Sequence, residues 1–267
     1  DPEPAATAKN VVVVGAGPAG LEAARVAAER GHSVTLYEKK GSVGGLLEFA
    51  NNVKGPHENL SVLRSYFERQ MEVLGVNVML NTEATADIIA EASPDIVIAA
   101  TGGVRDTLGL SDTAGTKVVG IDDFMMADIA EEVVIVGSNV QAIDAAMYLL
   151  AQGKHVQVVT PNAASAIGAG HSFWVKTFTQ PNMKALGVRF WPEATVTAVN
   201  DGSVTVKTAT GIEQEIACGT VVEALDCLPN DSLSTGLSCE VVTVGDAARP
   251  FNIGEAICSG NAAARAI

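Results

Sequence analysis

One unit occurs twice in this chain, and the repeat is what most restricts its fold. Val11 to Val14 form a β-branched run that breaks at Gly15-Ala16-Gly17-Pro18-Ala19-Gly20 and continues as a helical pattern, with small residues at Gly20, Ala23, Ala24 and Ala27. Gly31 closes the helix, and Ser33 to Glu38 alternates as a strand, which completes a parallel βαβ unit. The same grammar returns with an offset of 122 residues: Gly15 maps onto Gly137, Gly31 onto Gly153 and Val34 onto Val156. The second helix carries Ala142, Ala145, Ala146, Leu149 and Leu150, and Val156 to Thr160 is its following strand. Two such starts predict two nucleotide-fold domains rather than one sheet.

Composition agrees. The 267 residues leave room for about two domains. Hydrophobic residues make up 48% of the chain but aromatics only 4%, so the apolar content is small and aliphatic, as in an α/β protein. With 17 basic against 31 acidic residues, the net charge of −14 repels phosphate backbones and argues against nucleic-acid or anionic-membrane partners. No apolar run approaches the ~20 residues of a membrane span, and no signal peptide is evident, so a cytoplasmic location is expected. The four cysteines, Cys218, Cys227, Cys239 and Cys258, contain no C-x-x-C pair, so neither a metal site nor a redox dithiol is expected. The chain opens at Asp1, without Met, in a Pro/Ala stretch that reads as a linker, so a piece of something longer is expected.

The remaining strands fall at Val76 to Leu80, Asp95 to Ala100, Val188 to Phe190, Thr220 to Ala224 and Glu240 to Val244. Thr195 to Val199 and Ser203 to Thr208 flank Asn200-Asp201-Gly202 as a hairpin, and a last helix starts near Ile253.

The first glycine loop carries a chemical reading. Gly15 makes the turn, Gly17 lets a pyrophosphate approach the backbone, Gly20 allows close helix–strand packing, and the helix N-terminus faces the phosphate charge. Glu38 stands 18 residues after Gly20, where an acid accepts hydrogen bonds from a ribose. A second glycine pair, Gly44-Gly45 before Leu46, lets the backbone pass beside an extended cofactor, and Ala100-Thr101-Gly102 and Gly245-Asp246 follow.

That ordered set resembles the flavoproteins with two dinucleotide-binding domains, which have this loop, an acid for the adenosine ribose, an A-T-G turn and a terminal G-D whose Asp holds the ribityl chain of FAD. Within them, VVVVGAGPAGLEAARVAAERGHSVTLYEKKGSVGG and YFERQMEVLGVNVMLNTEATAD look most like the C-terminal region of multidomain Old Yellow Enzyme relatives, the 2,4-dienoyl-CoA reductase, enoate reductase and trimethylamine dehydrogenase type. The resemblance implies an α/β fold of two Rossmann-like domains, the second inserted into the first: a linker at 1–10, an FAD domain at 11–110 and 240–267, and an NAD(P)-binding-like domain at 111–239. It implies FAD and NADH as cofactors, and an FMN/iron–sulfur barrel as partner. The implied FAD contacts are Gly15, Gly17, Pro18, Ala19, Gly20, Glu38, Lys39, Gly44, Gly45, Leu46, Ala84, Ala100, Thr101, Gly102, Gly245, Asp246 and Ile253, with Gly137, Ser138 and Asn139 in the nicotinamide half. Ala84 is included because the family presents backbone to adenine there. Arg64 is in reach of a cofactor phosphate or lies on a solvated helix face. No catalytic side chain is expected, because flavin hydride transfer needs no protein acid or base. His32, His57, His155 and His171 read as surface or packing residues, and Trp174 and Trp191 as packing residues.

The second half departs from the pattern. Gly17 becomes Asn139, Gly20 becomes Ala142 and Glu38 becomes Thr160. Alanine at the third glycine is acceptable, but Asn139 puts a side chain where a pyrophosphate would approach, and Thr160 offers no carboxylate. No Arg follows to suit a 2′-phosphate, and Asp226 stands where the family usually has glycine. Two readings therefore stay open for this half: an NAD(H) site, or a nucleotide fold in an electron-transfer or scaffold module without nicotinamide turnover.

Overall fold

A computed structural model describes all residues except 1, 56, 57, 172, 231 and 234–236; the side chains of 173–175, 178 and 179 also lie outside the description, so His57 and Trp174 are not assigned. The chain divides into two compact units, 1–104 with 227–267, and 105–226. The crossings thus fall at 104/105 and 226/227 rather than 110/111 and 239/240. The two-residue strands β5 (Val104–Arg105) and β14 (Cys227–Leu228) stand at those crossings.

The first unit is built on a parallel sheet in the order β15-β4-β1-β2-β3, from β1 (Asn10–Val14), β2 (Ser33–Tyr37), β3 (Asn77–Met79), β4 (Ile96–Ala99) and β15 (Glu240–Thr243). Helices α1 (Pro18–Glu29), α2 (Leu47–Lys54), α3 (Leu60–Val73), α4 (Ala86–Glu91) and α7 (Ile253–Ala266) surround it. The valine run of β1 is buried, as an inner parallel strand requires. Helix α1 is apolar on most of its surface because it packs on the sheet and against α7, and the small residues are what make this possible. A Cβ on Gly260 would stand 2.1 Å from the Ala19 carbonyl oxygen, so the two helix backbones touch there. Beside that contact the buried Glu22 accepts from Arg25 at 2.8 Å and from Asn261 Nδ2 at 2.7 Å, so the carboxylate is not left unpaired. The Arg25 guanidinium is held above its usual range, chiefly by the bond to Glu22.

The second unit repeats the design. Its parallel sheet runs β6-β13-β7-β8-β9, from β6 (Lys117–Gly120), β7 (Glu132–Val136), β8 (His155–Val159), β9 (Arg189–Trp191) and β13 (Thr220–Glu223), with α5 (Val140–Ala151) and α6 (Phe173–Ala185). An antiparallel sheet of β10 (Ala194–Asn200), β11 (Ser203–Thr208) and β12 (Glu213–Ala217) completes it. The β10–β11 hairpin closes at Asn200 opposite Ser203, around the Asp201-Gly202 turn expected from sequence.

Candidate functional site

In each unit the strand order reverses beside the glycine-bearing strand, between β1 and β4 in the first and between β7 and β13 in the second. The crevice beyond the strand C-termini at such a reversal is where open α/β sheets bind ligands.

In the first unit that crevice gathers most of the sequence-derived residues. Gly15 has φ +101°, and a Cβ there would lie 2.3 Å from the Ala100 oxygen, so glycine is required for the β1 turn to lie against the β4 turn. Gly20 touches the same turn: its Cβ would stand 1.9 Å from the Gly15 oxygen. Gly17 differs, since a Cβ added there meets nothing within 4 Å among the described residues. Gly17 is the N-cap of α1 with no side-chain cap, Pro18 follows at the helix start, and Ala19 is buried behind them. The backbone at this helix end is therefore free to face an anion. Gly44 donates to the Ala16 oxygen at 2.7 Å, a Cβ on Gly45 would lie 3.0 Å from Gly17 Cα, and Leu46 caps α2, so the second glycine pair packs on the first loop.

Glu38 closes β2 and is buried. One carboxylate oxygen accepts the Ala16 N–H at 2.7 Å and the other accepts the Lys40 N–H at 2.8 Å. A carboxylate has about four lone-pair sites, so accepting capacity remains. Lys39 is exposed. Ala100 donates to Val14, Gly102 takes φ +75°, and between them the Thr101 hydroxyl is buried without a hydrogen-bond partner among the described residues. Gly245 donates to Ser259 Oγ at 2.9 Å, Asp246 accepts from Phe251 N, and Ile253 opens α7. Arg64 pairs with Glu68 at 3.0 Å, and its stem lies against Gly44. Ala84 packs with Val12, Val14, Ile89 and Val97.

The second crevice is filled from within. Gly137 has φ +142°, and its Cβ would meet the Ala224 oxygen at 2.1 Å, matching Gly15. Asn139, in the place of Gly17, accepts the Ala142 N–H at 3.0 Å through Oδ1. Its Nδ2 donates to the Ala224 oxygen at 3.0 Å, the Leu225 oxygen at 3.1 Å and Asp226 Oδ1 at 3.2 Å. Ser138 accepts from Gly168 N through its carbonyl at 2.6 Å and from Asn162 Nδ2 through its hydroxyl at 2.9 Å. Asn162 was missed in the sequence, although it stands two residues past Thr160 and ties the end of β8 to the glycine loop much as Glu38 ties β2. Thr160 is fully buried and accepts from Asn162 N.

Of the described histidines, none lies in the first crevice. His32 is buried, His155 is exposed and paired with Glu132 at 2.7 Å, and His171 lies 3.6 Å from Asp144. Trp191 donates to Gln157 and carries Arg189 on its ring face at 4.2 Å. Among the described residues no helix is long and apolar enough to cross a membrane.

Comparisons with known proteins bear on the family and the fold. A family model described as pyridine nucleotide-disulphide oxidoreductase matches residues 9–245. An NADH oxidase of Thermoanaerobacter brockii is 39% identical over 157 residues, 57% of this chain and 24% of that protein. A cinnamate reductase of Clostridium sporogenes is 38% identical over 153 residues, 57% of this chain and 23% of that protein. The matches thus span about a quarter of the curated relatives' length. A solved structure of a 2-naphthoyl-CoA reductase complex superposes with a TM-score of 0.89 at 33% identity, over 100% of this chain and 41% of that one.

Proposed function

From the premise that this chain belongs to the pyridine nucleotide-disulphide oxidoreductase family, whose members use FAD and NAD(P)H, we propose an FAD-dependent module that passes electrons from NADH to a partner domain. That partner, an FMN/iron–sulfur barrel, would reduce an activated C=C bond; the similarity to a cinnamate reductase supports this substrate class.

The observation that carries the reading is the pair Gly17 and Thr101: an uncapped helix N-terminus where an added Cβ meets nothing within 4 Å among the described residues, and a buried hydroxyl with no hydrogen-bond partner among them. Both features fit a bound dinucleotide, which would supply a hydrogen-bond partner for Thr101 and the negative charge that the helix end favours. When bound, FAD supplies a two-electron store that accepts hydride from NADH and releases electrons onward. The chain's own residues bind and orient. The Gly17 backbone and the α1 N-terminus receive the pyrophosphate, Glu38 keeps accepting capacity for ribose hydroxyls, and Asp246 serves the ribityl chain. Thr101 holds its hydroxyl at the crevice wall.

A titration tests this. The chain is expected to bind FAD with a change in flavin fluorescence, and Gly17→Val, whose side chain enters empty space, is expected to fold normally and lose that binding. A chain that folds, is colourless and gives no change with FAD overturns the proposal.

Asn139 favours a second reading, a nucleotide-binding electron-transfer or scaffold module without nicotinamide turnover, because its amide occupies the crevice where the second dinucleotide would sit. Anaerobic NADH separates the two: a bound flavin bleaches in the first and keeps its colour in the second.

A further inference from the structure

The Asn139 crevice is not only occupied; it is strapped. Gly168 N donates to the Ser138 carbonyl at 2.6 Å, and Ala169 forms a parallel bridge with Asn139. Gly170 crosses Val140 so closely that a Cβ on it would lie 2.7 Å from Val140 Cγ2, at a φ of +95°. His171 reaches Asp144 on α5 at 3.6 Å, and Gln180 Nε2 holds the Ile167 carbonyl at 2.6 Å from α6. Beneath the strap, Asn139 satisfies the Ala142 N–H with its own oxygen and crosses the strand reversal with its amide. In the first unit Gly44 N makes the matching bond to the Ala16 carbonyl at 2.7 Å. The residue in the place of Asn139 there is Gly17, which has no side chain to cap the helix or cross to the neighbouring strand, so the latch is the difference between the two units.

We propose that residues 167–171 form a strap, latched by Asn139, that closes the second unit's dinucleotide crevice, and that NADH enters only when the latch lets go. The inference rests on the reading that nicotinamide binds in this unit. Phosphate and Asn139 Oδ1 compete for the same helix N-terminal donors, so closed and bound states exclude one another. A ligand that binds only the open state shows its affinity reduced by the open fraction. The strap contains glycines at φ +70° (Gly168) and +95° (Gly170), backbone that a side chain resists.

Two variants loosen the strap by unrelated means. Asn139→Gly restores the residue of the first loop and removes the latch. Gly170→Ala leaves Asn139 untouched and drives a methyl into Val140. The probe is ADP-ribose, which has the pyrophosphate and adenosine of NADH but cannot donate hydride, measured by calorimetry on the FAD-loaded chain. Each variant is expected to bind it roughly tenfold or more tighter than the wild type. Hydrogen exchange of the Gly168 and Ala142 amides, protected in the wild type, is expected to rise on loosening. Wild type and both variants binding with equal affinity overturns the strap. So does an absence of binding in all three, which would leave the FAD reading of the first unit standing. Loss of FAD binding with ADP-ribose binding intact would instead count against that reading and leave the strap supported.

Discussion

Glu38 takes the Ala16 N–H on one carboxylate oxygen at 2.7 Å, so the residue that ends β2 also fixes the glycine turn that ends β1. Its other oxygen takes Lys40 N at 2.8 Å. Glu38→Ala leaves the buried Ala16 donor and the part-buried Lys40 donor without their acceptor, and an unsatisfied buried donor costs about 1–3 kcal/mol. We expect a loss of about 2 kcal/mol or more in urea unfolding and weaker FAD binding, with Glu38→Gln retaining part of both.

The matched glycines give a comparison internal to the chain. Gly15→Ala and Gly137→Ala each force a Cβ to within 2.3 Å and 2.1 Å of a carbonyl oxygen, at positive φ. Gly31→Ala shares the positive φ, at +92°, but meets nothing within 4 Å. Strain alone costs about 1–3 kcal/mol, so Gly31→Ala is expected within that range and the other two beyond it. Chemical denaturation of the three variants measures the difference. Equal losses would mean that the strand turns relax away from the contact.

Burial first, and then the charges of Arg30 and Lys9, hold the His32 imidazole below its usual value of 6.5. The unfolded chain therefore takes up this proton more readily than the folded one. Its contribution to stability is complete above pH 6.5 and is lost as pH falls from there towards the lowered folded value. His155 works in the opposite sense. Glu132 raises its pKa, so its contribution is present below 6.5 and is lost as pH rises through the raised value. Melting curves across this window are expected to become less acid-sensitive in His32→Gln. An unchanged slope would mean that His32 is not the group responsible.

Burial pushes the Cys218 thiol up to about 11, while Cys258 is exposed on α7. Thiolate is the reactive form, so iodoacetamide at about pH 8 is expected to label Cys258 early and Cys218 only after unfolding. Peptide mass spectrometry reads the order, and early labelling of Cys218 would contradict the packing of the second unit.

Glycine spacing carried much of the architecture into the sequence. Gly15 and Gly137 are legible because only glycine allows the turn, β1 and β7 because buried parallel strands read as β-branched runs, and β2 because its residues alternate. What the sequence hid is held by distant partners. β6 is four residues, Lys117–Gly120, and becomes a strand because β13 offers it an edge. β12 has one buried residue, Ile216, and pairs with β11. Asn139 stood out by its position in the loop. Its bonds to Ala224 and Leu225 did not, because they reach 85 and 86 residues along the chain. Asn162 left no signal, since an amide two residues past a strand is ordinary until Ser138 is seen beside it.

The most direct measurement is the visible spectrum of the FAD-loaded chain before and after anaerobic addition of NADH. The account predicts bleaching of the flavin band, with a rate that rises in Asn139→Gly. A chain that binds FAD and keeps its full colour under excess NADH, in wild type and variant alike, would contradict it.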